Sequence, residues 1–211
     1  MTRTEIWLAR HGETEWSRTG RHTGRTDVPL TAAGVAEARL LAGSLDGVPF
    51  DLVLTSPRRR AAATAGILGY PAALREPDLV EWDYGDYEGL TAHAIREQVP
   101  GWRVWSHPVP GGETAEQVAA RADRVVARVL AAAPGRALLV AHGHVLRVLA
   151  ARWIGEPAGF GGRLALGTAG LCVLGWDRET RALRHWNLPP GTRPGAVTAP
   201  ITGAGLAEPS P

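Results

Sequence analysis

Short apolar runs alternate along the chain with longer segments in which apolar residues recur every three or four positions. The apolar runs predict strands at 4–9, 51–55, 136–141, 170–176 and 182–186. The periodic segments predict helices over 31–45, 57–68, 114–133 and 144–154, with another helix beginning near Thr91. Strands that alternate with helices in this way are typical of an α/β domain whose sheet carries helices on both faces.

The helix predicted from Thr114 has the clearest start and the clearest buried face. Thr114 and Gln117 have the spacing of a capping box, in which the two side chains bond each other's backbone N–H groups. Apolar residues then follow at intervals of three and four, at Val118, Ala122, Val125, Val126, Val129 and Leu130. We interpret this helix as part of the scaffold.

The length of 211 residues suits one domain with a full hydrophobic core. From Pro189 onward, prolines and glycines are frequent and the apolar pattern is lost. We therefore predict a single domain over 1–188 and a Pro/Gly-rich, disordered tail over 189–211.

Composition removes several classes of function. The net charge is only +2 and no basic run has interleaved aromatic residues, which argues against nucleic acid as a partner. All 23 basic residues are arginine, so lysine Schiff-base chemistry and a P-loop lysine are excluded. A single cysteine excludes an intramolecular disulfide. With no apolar run of membrane or signal length, we expect a cytoplasmic protein with no membrane partner.

Three groups of polar residues stand where predicted strands end. Arg10-His11-Gly12 follows the first strand, a basic run from Ser56 to Arg60 follows the second, and His142-Gly143-His144 follows the third. An arginine, a histidine and a glycine at a strand end provide a cation, a nucleophile or base, and room for a ligand beside the backbone. Because open α/β sheets bind ligands at the carboxyl ends of their strands, this pattern indicates an anion-binding site.

These segments, taken together and in order, resemble the histidine phosphatase superfamily, in its phosphoglycerate-mutase-like branch. The matching residues are Arg10-His11-Gly12-Glu13-Thr14 with Trp16, His22-Thr23-Gly24, Ser56, Arg60-Ala61, Thr64-Ala65, Glu81, Tyr84-Gly85, Glu88-Gly89, Gly112-Glu113-Thr114 and His142-Gly143. The resemblance covers 4–176. It implies a three-layer α/β/α fold with a mostly parallel central sheet, and a short cap at about 90–110.

The resemblance also implies a role for each matching residue. His11 is expected to be the phosphate-accepting nucleophile and Glu81 the general acid, while Arg10, Arg60 and His142 neutralise the transferring phosphoryl group. Positions expected to bind substrate are Ser17, His22, Thr23, Gly24, Tyr84, Gly143 and His144. Many relatives carry asparagine at the position of Ser17.

The implied activity is metal-independent, cofactor-free hydrolysis of small phosphate monoesters through a phosphohistidine, closest to small actinobacterial acid phosphatases. Phosphoryl transfer requires positive charge around three oxygens, and the arginines and histidines can supply it without a metal. Glu81 must be protonated to act as an acid, and a bound phosphate favours its neutral form, so we expect an acidic optimum. A homodimer is common among relatives.

Three other functions compete with this interpretation. Cys172 and Arg178 have the C-x5-R spacing of cysteine-dependent phosphatases, but Cys172 lies in an apolar strand pattern and is expected in the core. The histidines lack the helical spacing of a metal site. A protein that only binds a phosphorylated ligand would have no need of His11, Glu81 and His142 together.

Within the family, two alternatives remain. A phosphoglycerate mutase is disfavoured, because the segment from Gly85 to Gly112 is short and has only two arginines. A sugar bisphosphatase of the sedoheptulose-1,7-bisphosphatase type would use the surplus arginines Arg21, Arg25, Arg58 and Arg59 for the distal phosphate. The substrate itself is not encoded in a recognisable motif, and Trp102, Trp105 and His107 in the cap either contact it or pack the cap.

Overall fold

The strands and helices are close to those predicted. The computed structural model describes residues 3–195. Its strands are β1 (Glu5–Arg10), β2 (Leu52–Thr55), β3 (Leu74–Arg75), β4 (Arg136–Ala141), β5 (Leu171–Asp177) and β6 (Thr180–Leu188). Its α-helices are α1 (Glu15–Arg18), α2 (Ala32–Leu45), α3 (Arg59–Ile67), α4 (Ala92–Gln98), α5 (Ala115–Ala132) and α6 (Gly143–Trp153). Three 3₁₀ helices lie at Pro77–Leu79, Gly85–Tyr87 and Ala158–Arg163.

The six strands form one sheet in the order β3-β2-β4-β1-β5-β6. The first four strands of that order are parallel, whereas β5 and β6 run antiparallel to their neighbours. This arrangement confirms the expected three-layer α/β/α fold with a mostly parallel central sheet. Its consequence for function is that β1, β2 and β4 all point their carboxyl ends toward the same edge.

Strand β1 shows how the sequence pattern builds two layers. Its side chains alternate between the two faces of the sheet, as the period of two requires. Ile6 and Leu8 join the larger apolar cluster with α5 and α6, whereas Trp7 and Ala9 join the smaller cluster with α2 and α3. A strand covered on both faces needs a continuous apolar run, which is what the sequence provides.

Two elements differ from the expected bounds for local reasons. The helix expected from Pro57 begins at Arg59, because the residues before it are extended and Ser56 accepts the N–H of Arg58. The last strand is longer than expected and runs over Thr180–Leu188, paired along β5. The predicted capping box at Thr114 and Gln117 is present and starts α5.

The predicted tail falls largely outside the described residues. Its first part, up to 195, lies against α2, where the N–H of Gly191 donates to Ser44 Oγ at 2.9 Å and Arg193 pairs with Asp46. Within 3–195, no helix is both long enough and apolar enough to cross a bilayer. The cytoplasmic location and the homodimer stay predictions.

Candidate active site

The carboxyl ends of β1, β2 and β4 bring the chemistry-bearing residues together. In the sheet, Arg10 lies opposite Ala141, and Thr55 lies opposite Val140. The pairing continues one residue further, since the N–H of His11 donates to Ala141 O and the N–H of Ser56 donates to Val140 O. His11, Ser56 and His142 therefore leave three neighbouring strands at one level.

His11 is held as a neutral ring with one nitrogen available. It is 5% exposed, and its Nδ1 lies 2.7 Å from the carbonyl oxygen of Gly12. Because a carbonyl only accepts, Nδ1 carries the proton and Nε2 keeps its lone pair. Burial, together with the charges of Arg10 and Arg60, holds the pKa of His11 well below 6.5. A neutral imidazole with a free Nε2 is a competent nucleophile.

Two close backbone contacts fix the loop that carries His11. A Cβ added to Gly12 would lie 2.2 Å from Gly34 O, and one added to Gly34 would lie 2.1 Å from Glu13 O. The side chain of Glu37 accepts the N–H of Glu13 and the hydroxyl of Thr168. Helix α2 thus sits directly against this loop, in contacts that a side chain at either glycine would disrupt.

Arg10 presents a guanidinium that the protein satisfies only in part. Its Nη1 donates to Leu166 O at 2.6 Å, while its buried Nε has no hydrogen-bond partner in the described part of the chain. Gly143 gives the group room, because a Cβ there would lie 3.3 Å from Arg10 Nε. A buried guanidinium with an unused donor is suited to binding an anion.

Arg60 and His142 lie behind the cavity wall and bind each other. Arg60 is fully buried and donates through Nε to His142 Nδ1 at 3.1 Å, and through its other nitrogens to the carbonyls of Thr23 and Thr26. His142 Nδ1 therefore accepts, which leaves the proton on Nε2, 2.8 Å from Ser56 Oγ. Burial, with Arg60 and His11 nearby, holds the pKa of His142 well below 6.5. Because His11 and His142 are both neutral, the positive charge of the site comes from the arginines.

Glu81 is fixed by the first turn of α6. Its Oε1 accepts the N–H groups of Trp82 and Val145, and its Oε2 accepts the N–H of His144, each at 2.9 Å. The N-terminal N–H groups of a helix have no partner within the helix, so a carboxylate is well placed there. The carboxyl group is 7% exposed and borders the same cavity as His11.

One cavity of about 190 Å³ joins most of the predicted site. Its walls include every predicted catalytic or substrate-binding residue except Arg60, His142 and Gly24: Arg10, His11, Ser17, His22, Thr23, Glu81, Tyr84, Gly143 and His144. Sequence reasoning missed Gly20, Arg147 and Leu166, which also line it. The position of Arg147 could have been predicted, because it stands three residues after His144 on the same helix and so lies on the same helix face.

Three rings at one side of the cavity are linked to one another. Tyr84 Oη lies 2.5 Å from His144 Nδ1, and burial raises the pKa of Tyr84 while it lowers that of His144. Both groups are therefore neutral, and the hydroxyl of Tyr84 donates a hydrogen bond to His144 Nδ1. His22 stacks on His144 at 6.1 Å and donates its Nδ1 proton to Leu90 O.

The remaining predicted contacts are used partly by the protein itself. Ser17 Oγ accepts from the N–H of Thr14 and donates to its carbonyl, which starts α1. Thr23 presents its backbone carbonyl to Arg60. Gly24 lies away from the cavity wall, and Glu88 accepts its N–H at 2.9 Å. These residues shape the loop over 20–26 that closes one side of the site.

Of the surplus arginines, the structure brings only Arg21 to the catalytic cavity. Arg25 is exposed and pairs with Asp83 at 2.5 Å, and the N–H of Arg59 donates to Asp27. Arg58 lies at the start of α3 and does not line the catalytic cavity. The positions of Arg25, Arg58 and Arg59 therefore do not suit binding of a distal phosphate.

Cys172 lies in β5, completely buried, as its apolar setting predicts. Burial raises the pKa of its thiol to about 12, so the thiolate needed for nucleophilic attack is scarce. Its sulfur accepts the N–H of Asn187 at 3.3 Å. The C-x5-R match is thus a coincidence of spacing.

Arg121 holds the segment that carries Glu81. This 4% exposed side chain binds both carboxylate oxygens of Glu113 and the carbonyls of Asp78 and Val80. Replacing it with alanine leaves the partly buried Glu113 carboxylate without its ion pair and two carbonyls without hydrogen bonds. We expect Arg121→Ala to lower the free energy of unfolding by about 3 kcal/mol, measured by urea titration.

The control for that prediction is Arg124→Ala. Arg124 lies on the same helix and pairs with Asp78, but the pair is exposed to solvent. We expect Arg124→Ala to change the unfolding midpoint very little. Equal effects of the two substitutions would contradict a special role for Arg121.

The buried histidines make stability depend on pH. The pKa values of His11, His142 and His144 are held well below 6.5 by burial. The unfolded chain therefore binds more protons than the folded one once the pH falls below about 6.5. We expect the free energy of unfolding to have its full value above this pH and to decrease as the pH falls from about 6.5 to about 5. The slope of unfolding free energy against pH should be smaller in His142→Gln and unchanged in His93→Gln, whose ring is exposed. A free energy of unfolding that does not change with pH in the unmodified protein contradicts this expectation.

Comparisons with known proteins identify the family of the chain. Residues 6–189 match the histidine phosphatase superfamily (branch 1). An acid phosphatase of Mycobacterium tuberculosis (strain ATCC 25618 / H37Rv) is 44% identical over 181 residues, covering 84% of this chain and 89% of that protein. A sedoheptulose 1,7-bisphosphatase of Saccharomyces cerevisiae (strain ATCC 204508 / S288c) is 35% identical over 182 residues, covering 70% of this chain and 66% of that protein.

A solved structure extends the match to three dimensions. The structure of an open reading frame product from Mycobacterium tuberculosis superimposes with a TM-score of 0.84 at 42% identity, covering 88% of this chain and 98% of that chain. The chain therefore belongs to the histidine phosphatase superfamily, branch 1, and is an enzyme of the phosphatase class.

Proposed function

We propose that this protein is a metal-independent phosphomonoesterase that acts on small phosphorylated metabolites through a phosphohistidine at His11. The observation that carries the proposal is the state of His11. Its Nδ1 proton is committed to Gly12 O, its ring is neutral, and its Nε2 is free in a cavity that also contains Arg10 and Glu81. The similarity to an acid phosphatase supports the same reaction.

In the first step, the Nε2 lone pair of His11 attacks phosphorus and the bond from phosphorus to the ester oxygen breaks. Glu81 gives its proton to the departing oxygen, so the leaving group departs as a neutral alcohol. Arg10 binds the equatorial oxygens of the phosphoryl group at the cavity wall. Arg60 adds its positive charge from behind His142, where it also orients that ring.

In the second step, the Glu81 carboxylate takes a proton from a water molecule. The water oxygen bonds to phosphorus, the bond from phosphorus to Nε2 breaks, and inorganic phosphate leaves with His11 again neutral. Each step uses one charge state of Glu81, and the cycle restores both residues. No step requires a metal, and within 3–195 no cluster of three or more His, Cys, Asp or Glu side chains is arranged to hold one.

The direction of the pH dependence follows from the two catalytic groups. His11 stays neutral well below pH 6.5 because burial lowers its pKa, whereas Glu81 must be protonated when substrate binds. We expect kcat/KM for a sugar monophosphate to be higher at about pH 5.5 than at about pH 8. Initial rates across this range measure it. An optimum on the alkaline side would remove Glu81 from the role of general acid.

The proposed function is tested by phosphate release with chelator present. The substrates are p-nitrophenyl phosphate and a set of sugar phosphates, and the phosphoenzyme is trapped by rapid quenching at alkaline pH, where phosphohistidine survives. We expect chelator-resistant release and a phosphoryl group on His11. If no substrate releases phosphate, the protein only binds phosphorylated ligands. If 3-phosphoglycerate is isomerised without net release, the protein is a mutase.

A further inference from the structure

A second and larger cavity lies beside the catalytic one. It has a volume of about 720 Å³, and His22 and His144 line both cavities. Its outer wall is formed by α4 and by the residues from Trp102 to Ser106, and its far side by the 3₁₀ helix Ala158–Arg163. A leaving group that departs from a phosphoryl group on His11 can extend past the two imidazole rings into this space, which is large enough for a sugar.

The part of the wall nearest the histidines is aromatic. The ring of Trp102 contacts His22 at 5.3 Å, and the ring of Trp105 contacts His144 at 5.0 Å. Trp105 is held firmly, because the guanidinium of Arg147 lies 4.5 Å from its ring centre and a Cβ at Gly162 would lie 3.0 Å from the ring. These surfaces suit the carbon skeleton of a leaving group.

The same wall also carries three arginines that form no ion pair with other described residues. Arg96, Arg103 and Arg163 all line this cavity, and its lining contains no aspartate or glutamate. Among the described residues, none of the three forms an ion pair. Arg96 is positioned through its Nε, which donates to Trp102 O at 3.0 Å. Elsewhere on the surface, exposed arginines such as Arg124 and Arg152 do pair with carboxylates.

We propose that this cavity binds a second anionic group on the leaving part of the substrate, either a phosphate or a carboxylate, through Arg96, Arg103 and Arg163. The proposal rests on the function proposed above, since it assigns the substrate class of the same site. Guanidinium groups pair well with both anions. The anion lies beyond the aromatic surfaces, so the substrate carries its two anions at opposite ends.

Two matched substrate pairs test the proposal and separate the two anions. Glycerol 3-phosphate and 3-phosphoglycerate differ only by a hydroxymethyl group or a carboxylate, and glucose 6-phosphate and glucose 1,6-bisphosphate differ by one phosphate. In at least one pair, we expect the substrate with an anionic group at both ends to exceed its partner about tenfold in kcat/KM. The pair that shows the preference identifies the anion.

The variant Arg103→Gln/Arg163→Gln tests where the preference originates. It should lower kcat/KM for the preferred substrate about tenfold, mainly by raising KM, and leave p-nitrophenyl phosphate hydrolysis within about twofold. The matched control is Arg39→Gln, an exposed arginine on α2 that lines neither cavity. It should keep both the rates and the preference.

The outcomes separate this inference from the proposed function. If p-nitrophenyl phosphate is hydrolysed but both pairs show equal kcat/KM, the second-anion site is wrong and the phosphatase activity stands. If the preference exists but the double variant retains it, Arg103 and Arg163 are not its source, and the inference, which needs them, is overturned. Absence of hydrolysis of every substrate contradicts the proposed function itself.

Discussion

Replacing His11 with alanine should reduce kcat by about 10⁴-fold or more, because it removes the imidazole that accepts the phosphoryl group beside Arg10. Two other imidazoles line the cavity, those of His22 and His144, and the Nδ1 of His144 is occupied by the hydroxyl of Tyr84. The measurement is steady-state release of p-nitrophenol, together with the loss of the trapped phosphoenzyme. Thermal unfolding should show that the variant is folded.

Two further observations make the result specific for a nucleophile. Added imidazole should restore part of the activity of His11→Ala, because the deleted ring leaves a buried space beside Arg10. His93→Ala, which removes an exposed histidine on α4, should retain full activity. Substantial turnover by His11→Ala without added imidazole would falsify the covalent route.

Replacing Glu81 with glutamine should lower kcat about 10²- to 10⁴-fold for sugar phosphates. An alkoxide leaving group needs the proton that Glu81 supplies, whereas p-nitrophenolate leaves readily without one. With p-nitrophenyl phosphate, we therefore expect a rapid burst of p-nitrophenol followed by slow turnover. The phosphohistidine should accumulate, because the base that activates water is missing in the second step.

The control for Glu81→Gln is Glu76→Gln. Both carboxyl groups are buried, at 7% and 5% exposure, but Glu76 binds Arg128 and lies outside both cavities. Glutamine at either position loses hydrogen bonds, so both variants should be less stable by about 1–3 kcal/mol. Only Glu81→Gln should show the burst. A fall in sugar-phosphate and p-nitrophenyl phosphate rates by the same factor, with no burst, contradicts the assignment of Glu81.

The sequence predicted those parts of the site that depend on local pattern. His11 and His142 follow apolar runs that predict buried strands, and parallel strands place their carboxyl ends at one edge. The capping box that starts α5 was also visible in the spacing of Thr114 and Gln117. In each case, the information lies within a few neighbouring residues.

What the sequence did not predict depends on contacts between distant segments. The proton position on His142 is set by Arg60 and Ser56, more than 80 residues away. The arginines of the larger cavity come from the cap and from Ala158–Arg163, and no local pattern joins them. Of the surplus arginines expected to bind a distal phosphate, only Arg21 lines the catalytic cavity, because the course of the loops places the other three elsewhere.

The anchoring of the reactive groups is separate from the cap. His11 is held by Gly12, Arg10 by Leu166, and Glu81 by the first turn of α6, with α2 locked against the loop through Gly12 and Gly34. None of these anchors lies between 92 and 106. We therefore expect mutations in that interval to change which leaving group is accepted without changing the reaction itself, which would give this fold a simple route to diversify among paralogues.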